Sequence, residues 1–326
     1  MTDTPYDVLA IGNAIVDVIS SASDAFITDQ KLVKGGMDLI DAERAVGLYE
    51  AMGPGKQVSG GAAANTLSGL AMLGAKCSFI GQVADDELGK FYAHDLRAAG
   101  VDFAVPPGAE DAPTGRCLIL VTPDGERTMN TFLGASHYLP ASAISDDAVS
   151  NARILFLEGY MWDPPEPRAA MRQAIEIARK ARTEIAFGTC ADFCVRTHRE
   201  DFRKLIDDNM IDILFANEEE AGILEDSDPE AAIETLARDV PLLVITRGPR
   251  GAIAIQDGKR YEVAALPTSV VDTTGAGDLF AAGFLAGRVK GESIDRCLQM
   301  GAIVAAEIVS HFGARPEKNL QRLMDE

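Results

Sequence analysis

The residue types best suited to chemistry lie close together in residues 271–283, which read VDTTGAGDLFAAG. Small residues at Gly275, Ala276 and Gly277 let backbone N–H groups point at one spot where a helix begins. Unpaired amides and the helix dipole make that spot an anion site. Asp278 follows in the first helical turn, where a bound phosphate would repel its carboxylate unless a third group sat between them. A hydroxyl that gives its proton to Asp278 while attacking phosphorus is the obvious candidate for that group.

A structural explanation of the same segment stays open, because an aspartate after a glycine turn also stabilises a helix through the helix dipole. The common nucleotide-binding motifs do not compete with either interpretation. A G-x-G-x-x-G motif would need glycine where Phe280 stands, and the sequence contains no G-x-x-x-x-G-K-[ST] pattern.

The elements that must position this segment follow from an alternation of short apolar runs with amphipathic stretches. The runs YDVLAIGNAIVDV, CSFIGQV, ARILFLEGY, EIAFGT, IDILFAN and PLLVITRG predict strands. Helical patterns occupy residues 62–73, 87–99, 166–182, 199–209 and 228–239. This alternation is typical of βαβ units, so the predicted fold class is α/β, with a doubly wound, mostly parallel sheet and helices on both faces.

Two pairs of segments break the alternation, because they read as strands without a long helix between them. Residues 14–20 and 35–40 form the first pair, and residues 116–121 and 126–132 form the second, joined by the hairpin signal TPDG at 122–125. Such strands cannot all join a parallel sheet, so we predict a small antiparallel sheet, a lid that could close over a site. No long linker, low-complexity tract or internal repeat indicates a second independent domain.

The composition excludes some classes of function. The 326 residues include 30 Lys and Arg against 50 Asp and Glu, a formal charge of −20, which argues against a nucleic-acid partner because a phosphate backbone needs a basic face. Hydrophobic residues make up 47% and charged residues 25%, so a sizeable core can be buried. The sequence has neither an apolar run of about 18 residues nor a signal-type start. We therefore expect a cytoplasmic protein without a membrane segment.

The five cysteines are scattered along the chain, which fits reduced thiols better than a disulfide framework. Cys190, Cys194 and His198 are spaced by four, so a helix would align them and a metal site is conceivable. No fourth ligand is evident nearby, and a half-buried helix face explains the same spacing.

The motif DTTGAGDLFAAG resembles the C-terminal signature of the ribokinase-type sugar and nucleoside kinases, the PfkB family. A second match lies more than two hundred residues upstream, where SGGAAAN at residues 59–65 is similar to the family's glycine pair and asparagine at a helix start. The resemblance covers essentially the whole chain. It implies a ribokinase-like fold, with a single kinase domain over residues 1–326 and a lid subdomain built from about residues 14–60 and 103–133.

The resemblance also implies phosphoryl transfer from ATP to an alcohol group of a small molecule, and it carries roles over one position at a time. Asp278 would be the catalytic base and would contact the acceptor, while Gly275, Ala276 and Gly277 would form the anion hole. The ATP-binding positions would be Asn217, Thr246, Gly248, Gly275 and Gly277.

Metal sites are implied at two places. Asn217 and Glu220 resemble the family's N-x-x-E element, which would help hold Mg²⁺ and its waters near the phosphates, although a helix N-terminus with acids in its first turn is the commoner explanation of that pattern. Asp272 and Thr274, with the loop at residues 313–316, match a monovalent-cation site of many members, which would take K⁺.

The residues that determine which acceptor binds are expected in the N-terminal half of the chain. Asn13 and Asp17 are short polar residues on an otherwise apolar run and need partners if buried; a vicinal diol would supply them, while a strand cap and a turn explain them equally simply. The G-N-x-x-x-D opening is closest to adenosine kinases and their bacterial relatives, in which these two positions, Gly61 and Asn65 would hold the ribose hydroxyls.

The lid would complete the site. Arg127, in the hairpin, resembles by position a lid arginine that reaches the transferred phosphate on closure; alternatively, it is a solvated residue on a strand edge that discourages strand pairing. Candidate apolar walls for a nucleobase are Met37, Leu39, Phe132, Met161 and Trp162.

The expected activity is therefore phosphorylation of the 5′-hydroxyl of adenosine by ATP with Mg²⁺, in a monomer or homodimer. Two alternatives stay open. One is another sugar or nucleoside kinase of the family, acting on ribose, fructose, inosine or guanosine. The other is a sugar- or nucleotide-binding regulator that kept the fold and lost turnover; an intact Asp278 and glycine turn count against it.

Overall fold

The computed structural model describes residues 6–103, 108 and 112–325. In this part of the chain the strands are β1 (Tyr6–Ile11), β2 (Ile15–Ser21), β3 (Met37–Leu39), β4 (Lys56–Gly60), β5 (Cys77–Ile80), β6 (Val101–Phe103), β7 (Thr114–Val121), β8 (Arg127–Gly134), β9 (Ala152–Glu158), β10 (Glu184–Gly188), β11 (Ile213–Asn217), β12 (Leu242–Thr246), β13 (Ala252–Gln256) and β14 (Lys259–Val263).

The described helices are α1 (Asp24–Asp29), α2 (Ala42–Ala51), α3 (Ala62–Met72), α4 (Glu87–Ala98), α5 (Asp146–Ser150), α6 (Pro165–Ala181), α7 (Asp192–Asp207), α8 (Glu218–Glu225), α9 (Pro229–Asp239), α10 (Ala276–Lys290), α11 (Ile294–Ile308) and α12 (Leu320–Asp325). Short 3₁₀ turns occur at Ala135–Tyr138, Ala141–Ala143, Gly159–Trp162 and Gly248–Arg250. Among these described helices, none is long and apolar enough to cross a membrane.

The large sheet has the strand order β14-β13-β12-β11-β10-β9-β1-β5-β6. Neighbouring strands are parallel from β12 to β6, whereas β13 runs antiparallel to both β12 and β14. Successive side chains of a strand point to opposite faces, and the buried run of β1 shows the consequence: Val8 and Ala10 enter one hydrophobic core, and Leu9 and Ile11 enter the other. The predicted doubly wound α/β fold is confirmed.

Each core is completed by a layer of helices. One face of the sheet is covered by α3, α4, α10 and α11, which contribute buried residues such as Leu67, Leu96, Phe284 and Leu298. The other face is covered by α6, α7, α8 and α9, which contribute Met171, Phe202, Leu224 and Leu236. This two-layer burial fixes the carboxyl ends of the parallel strands along one edge of the sheet.

The small sheet has the order β3-β8-β7-β2-β4 and stands beside that edge. It differs from the antiparallel sheet predicted, because β2 with β7 and β3 with β8 are parallel pairs. The predicted pairing of residues 14–20 with 35–40 is wrong: β2 instead pairs with β4, antiparallel, and with β7. The predicted hairpin of β7 and β8 is correct. Because β7 follows β2 only after a long excursion through the large sheet, the two strands can run in the same direction.

Several elements differ from the sequence prediction. Helix α7 begins at Asp192 instead of residue 199, because His198 has non-helical φ and ψ angles and the regular apolar pattern starts only after that kink. Helices α2 and α11 and the hairpin of β13 and β14 were not predicted. The hairpin has a recognisable signal: Asp257 and Gly258 both have positive φ, as a two-residue turn requires.

Candidate active site

A cavity of about 560 Å³ lies between the small sheet and the carboxyl ends of the parallel strands. The core side supplies residues that follow or end β1, β9, β10, β11 and β12, namely Asn13, Glu158, Gly188, Asn217 and Thr246. The small sheet supplies side chains from β2, β3, β7 and β8, among them Asp17, Met37, Ile119 and Met129. Doubly wound sheets bind ligands at this edge, and the cavity is our candidate active site.

The predicted anion turn forms the N-terminus of α10 and lines the cavity. Gly275 caps the helix in the left-handed conformation, with φ of +74°, and an added Cβ there would lie 2.8 Å from the Cβ of Ala314. A Cβ at Gly277 would meet no atom within 4 Å, so the space beside its Cα is open. The turn therefore presents the N–H groups of Gly275 and Gly277 and a helix dipole to an anion. The N–H of Ala276, also predicted for the anion hole, instead donates to the Thr273 carbonyl over 3.1 Å.

Asp278 lies in the first turn of α10 and lines the same cavity. Its Oδ2 accepts a hydrogen bond of 3.0 Å from Asn65 Nδ2, and its backbone carbonyl accepts one of 3.1 Å from the Thr66 hydroxyl. Burial raises the pKa of Asp278 to about 6, while the hydrogen bond from Asn65 and the charge of Arg315 oppose the rise. A carboxyl with this pKa is mostly ionised at neutral pH and can accept a proton.

The predicted acceptor residues Asn13, Asp17, Gly61 and Asn65 all line the cavity. Two glycines make room for them: a Cβ at Gly60 would lie 2.5 Å from the Asp17 carboxyl, and one at Gly61, where φ is +101°, would lie 2.1 Å from the Asn13 carbonyl oxygen. Burial raises the pKa of Asp17 to about 7, although the charges of Arg315 and Arg127 lower it. Asp17 is half-buried, and a hydrogen-bonding partner would stabilise its carboxyl.

Glu158, at the end of β9, is a site residue that sequence reasoning missed. Its side chain is fully buried, and it accepts hydrogen bonds of 2.7 Å from the backbone N–H groups of Asn13 and Ala63. It therefore ties the end of β1 to the start of α3. Burial raises the pKa of Glu158 to about 7, and these hydrogen bonds oppose the rise. The available signal was a lone acid ending the apolar run ILFLE.

Arg315 is the second missed residue. Its Nη1 donates to the carbonyl of Ala64 over 3.0 Å, and its Nη2 donates to the carbonyl and the hydroxyl of Ser59. The guanidinium thus holds the strand that precedes α3 and the first turn of that helix. Its charge also lowers the pKa of both Asp17 and Asp278.

Arg127 begins β8 and is buried, its side chain only 6% exposed, so the interpretation as a solvated edge residue is wrong. Its Nη2 lies 2.6 Å from Oδ2 of Asp272, which is 4% exposed. Asp272 also accepts hydrogen bonds from the N–H groups of Thr274 and Gly313. Contact of Arg127 with a phosphate, and a K⁺ ion at Asp272 and Thr274, stay predictions.

Three of the residues predicted to bind ATP or Mg²⁺ line the cavity, namely Asn217, Glu220 and Thr246. Asn217 and Glu220 form a reciprocal capping box at the start of α8, and Glu220 Oε2 also accepts from the Thr189 hydroxyl over 2.5 Å. The helix N-terminus considered in the sequence analysis is thus present. Gly248, also predicted to contact ATP, begins a 3₁₀ turn after β12 with φ of +54°.

The predicted apolar walls need correction. Met37 and Leu39 line the cavity, but Met161 and Trp162 are fully buried in the core under the sheet, where the Trp162 indole donates to Asp201. Phe132 lies on the other face of β8, because Met129, Thr131 and Leu133 are the residues of that strand that line the cavity. Tyr160 and Phe193 also line it and were missed.

Cys190, Cys194 and His198 line the cavity, but they do not share one helix face. Cys190 precedes α7 with φ of +75°, and His198 stands at the kink, where its Nε2 lies 3.2 Å from Asp163 Oδ1. In the part of the chain that the structure describes, no group of three or more His, Cys, Asp and Glu side chains is placed to hold a metal ion. The metal interpretation of this trio gains no support.

Comparison with known proteins decides the family. Residues 30–320 match the model of the pfkB family carbohydrate kinases. The chain belongs to this family. Membership establishes the reaction class as phosphoryl transfer and implies ATP as the donor and a small molecule as the acceptor.

Two solved structures and one curated relative are similar to this pfkB family member over most of its length. Adenosine kinase from Sinorhizobium meliloti is 43% identical with a TM-score of 0.91, covering 98% of both chains. A probable sugar kinase protein from Rhizobium etli CFN 42 is 42% identical with a TM-score of 0.93, covering 99% of this chain and 98% of its own. The 5-dehydro-2-deoxygluconokinase of Bacillus subtilis (strain 168) is 27% identical over 94% of this chain and 90% of its own.

The geometry of this pfkB family member suits phosphoryl transfer to an alcohol. Gly277, which has open space beside its Cα, and Asp278 are adjacent in the first turn of α10. The polar residues Asn13 and Asp17 line the same cavity. An anion site, a base and a set of hydroxyl-binding groups are the parts that such a reaction needs.

Proposed function

We propose that the protein transfers the γ-phosphoryl group of ATP to the 5′-hydroxyl of adenosine, giving AMP and ADP. The 43% identity to the adenosine kinase of Sinorhizobium meliloti, over 98% of both chains, supports adenosine as the acceptor. The remaining support comes from the chemistry of the cavity walls, which suits a flat, uncharged base attached to a diol.

The aromatic wall of the cavity is the observation that carries the proposal. Tyr160 and Phe193 pack together with ring centroids 5.8 Å apart and an angle of 33° between the planes. The Tyr160 hydroxyl donates to the carbonyl of Cys190 over 3.3 Å, which fixes its ring. Stacking of a nucleobase on an aromatic side chain contributes roughly 1–3 kcal/mol, and free ribose lacks the base that would make this contact.

The ribose would be held by the polar residues at the end of β1 and in β2. Asp17 would accept hydrogen bonds from the 2′- and 3′-hydroxyls, and Asn13 and Asn65 would complete the clamp beside Gly61. The buried Oδ1 of Asn65 has no hydrogen-bond partner among the described residues, so it is available to a ligand donor. A diol would thereby satisfy groups that are costly to leave buried and unpaired.

The reaction would use Asp278 as base. As the 5′-oxygen attacks the γ-phosphorus, its proton passes to the Asp278 carboxylate, the new O–P bond forms, and the bond from phosphorus to the β,γ-bridging oxygen breaks to release ADP. The N–H groups at Gly275 and Gly277 would stabilise the negative charge on the transferring group, whereas that of Ala276 is engaged by the Thr273 carbonyl. The proton leaves Asp278 to solvent once the product departs.

Mg²⁺ would neutralise phosphate charge during this transfer. Glu220 Oε2 is already engaged by Thr189 and by the Asn217 N–H, so we assign Asn217 and Glu220 to waters around the ion instead of direct ligation. Thr246 and Gly248 are the residues that we assign to the ATP side.

A second candidate is an acidic sugar, because the Bacillus subtilis relative is a 5-dehydro-2-deoxygluconokinase. The cavity disfavours this acceptor. The described residues that line it include no Lys or Arg. They include five acids: Asp17, Glu158, Asp163, Glu220 and Asp278. A carboxylate substrate would have no cationic side chain to meet and several carboxyls to avoid.

The test is an ADP-release assay with adenosine, inosine, guanosine, ribose, fructose and 5-dehydro-2-deoxygluconate, with phosphorus NMR to identify the product. We expect turnover with adenosine and a 5′-monophosphate product. Turnover with only a free sugar or the acidic sugar would overturn the acceptor, and no turnover with any acceptor would favour the binding regulator.

A matched pair of variants tests the aromatic wall. Tyr160→Ala should raise KM for adenosine by about 5- to 100-fold, the loss expected from removing one stacking partner, and should leave ribose turnover unaffected. Tyr138→Ala is the control, because Tyr138 is 47% exposed on a 3₁₀ turn away from the cavity lining. Equal KM values in the two variants would contradict stacking on Tyr160.

A further inference from the structure

Three separate parts of the molecule meet at the carboxylate of Asp272. Its Oδ1 accepts a hydrogen bond of 3.0 Å from the N–H of Thr274, which begins the anion turn. Its Oδ2 accepts one of 2.9 Å from the N–H of Gly313, in the loop after α11, and lies 2.6 Å from Nη2 of Arg127, in the small sheet. One side chain thus contacts the anion turn, the C-terminal loop and the small sheet.

The ion pair of Arg127 and Asp272 is poorly suited to a purely stabilising role. Both side chains are almost fully buried, at 6% and 4% exposure, and their shortest contact is the 2.6 Å from Nη2 to Oδ2. Within the described residues, none of Nε, Nη1 and Nη2 of Arg127 makes a hydrogen bond, so Nη2 contacts Asp272 as an ion pair alone. A buried ion pair with unsatisfied donors recovers little of the desolvation cost, which favours a role in positioning over one in stability.

Arg127 also has neighbours in both the small sheet and the C-terminal loop. Its charge lowers the pKa of Asp17, the proposed diol-binding residue, and its guanidinium lies 5.8 Å from the ring of Phe312, beside Gly313. Neighbours of both ends of the ion pair line the cavity: Met129 on β8, and Thr273 and Thr274 beside Asp272. A displacement of the pair would therefore reach both walls.

We propose that Asp272 is a positioning residue that docks the small sheet onto the anion turn through Arg127. Its carboxylate holds Thr274 and Gly313, which set the course of the turn, and the same carboxylate holds β8. The turn and the small sheet are then positioned by one shared contact. The inference rests on phosphoryl transfer, the reaction class of the family, and not on adenosine as the acceptor.

Two substitutions separate the partners. Asp272→Asn keeps an oxygen for the Thr274 N–H, but its amide nitrogen cannot accept from Gly313 or pair with Arg127. Arg127→Met keeps the length of the side chain and leaves both backbone hydrogen bonds of Asp272 intact. Arg116→Met is the control, because Arg116 is a half-buried arginine of the same sheet that contacts the ring of Tyr49 and has no role in the proposal.

The first measurement is amide hydrogen exchange on the full-length protein with and without ATP, with no acceptor present. We expect both test variants to exchange faster in β8 and in residues 272–279, whereas the control should exchange faster in the small sheet alone. If the faster exchange in Arg127→Met were confined to β8, the proposed coupling between the small sheet and the anion turn would be overturned. Because no acceptor is used, failure of adenosine as the substrate leaves this result interpretable.

The second measurement is steady-state kinetics with the best acceptor of the ADP-release assay, or with water as the acceptor if none is found. Each variant should lower kcat by about 10- to 100-fold with KM for ATP changed less than about threefold, because a displaced turn stabilises the transition state poorly. The double variant should be no worse than the worse single one, since both remove the same contact. Additive effects, or a normal kcat in Arg127→Met, would overturn the proposal.

Conservative variants guard against misfolding. Arg127→Lys should recover part of kcat in the parent background and little in Asp272→Asn, because the ammonium forms an ion pair with a carboxylate but not with a neutral amide. If Arg127→Met fails to fold, Arg127→Lys still tests the proposal, because an equal change of kcat by Lys in the parent and in Asp272→Asn would contradict docking through Asp272.

Discussion

The two walls of the cavity differ in what holds their residues in place. On the core wall, Asp278, Glu158 and Asn13 are joined by hydrogen bonds of 2.7–3.0 Å to partners 95 to 213 positions away in the chain. On the small-sheet wall, most of the lining is apolar side chains from β3, β7 and β8, and Leu39 is 54% exposed. Hydrogen bonds fix the residues of the core wall, whereas the small-sheet wall offers mainly apolar side chains.

This difference bears on the reaction more than on the choice of acceptor. The core wall carries the anion turn and Asp278, so substitutions of those residues should change kcat. The proposed acceptor contacts are divided between the two walls, because Asp17 lies in the small sheet and Tyr160 follows β9 of the core. The ion pair of Arg127 and Asp272 is the one described salt bridge that joins the two walls.

The largest effect should come from Asp278→Asn, which tests the core wall. The substitution keeps the shape and the hydrogen bond with Asn65 but removes the base, so we expect kcat to fall by about 10²-fold or more. Binding of ATP, measured by calorimetry, should largely survive. A variant that retains most of its kcat would remove Asp278 from the role of base.

Asp17→Ala should have the next largest effect and should act on the acceptor. Each charge-assisted hydrogen bond that it removes is worth roughly 1.5–3 kcal/mol, so KM for adenosine should rise by about 10- to 100-fold. The matched ligand is 2′-deoxyadenosine, which should bind the parent much more weakly than adenosine does. Equal discrimination between the two nucleosides in parent and variant would show that Asp17 does not contact the diol.

A pair of glycines sharpens the description of the anion turn. Gly277→Ala should fold normally, because its Cβ meets no atom within 4 Å, yet the methyl group would occupy the space in front of the amides and raise KM for ATP by about tenfold. Gly275→Ala should instead lower the melting temperature, because φ is +74° and its Cβ would lie 2.8 Å from that of Ala314. The opposite assignment of the two effects would move the phosphate away from Gly277.

The core wall could be predicted further from the sequence than the small-sheet wall. The turn at Gly275 and the caps at Gly61 and Asn217 depend on residues that are adjacent in the chain, so the residue types indicate the backbone directly. Glu158 and Arg315 were missed because their partners lie 95 to 256 positions away, and no local pattern indicates such pairs.

The lining residues of the small-sheet wall could not be predicted from the sequence, for a different reason. Which residues of β8 face the cavity depends on a strand register, and a shift of one residue exchanges the two faces. Thr131 pairs with Cys117, and this register directs Met129 and Leu133 inward and Phe132 outward. The sequence alone could propose an apolar wall there but not choose between these sets.

Ligand-dependent exchange tests whether the small sheet moves as a lid. If the acceptor draws the sheet toward the core, amide exchange should slow in β3, β7 and β8 on addition of adenosine, with little change in α6, which packs under the large sheet. Closure of this kind excludes water that would otherwise compete for the γ-phosphoryl group. Exchange in the small sheet that is unchanged at saturating adenosine would mean that the cavity does not close.

The smallest expected effect concerns the buried carboxyls of the cavity and the pH dependence of stability. Burial raises the pKa of Glu158 from 4.5 to about 7, so between these two values the folded state binds more protons than the unfolded state. The free energy of unfolding should therefore fall as the pH rises from about 4.5 to 7 and level off above that.

The variant Glu158→Gln tests this pH dependence. Gln is a neutral isostere of Glu, so the substitution should remove the contribution of Glu158. The melting temperature of the variant, relative to the parent, should rise by a few degrees between pH 5 and pH 8 in the absence of ligands. Glu176→Gln, at an exposed position of α6, is the control, and the same pH dependence in both variants would show that Glu158 does not bind its extra proton in the folded state.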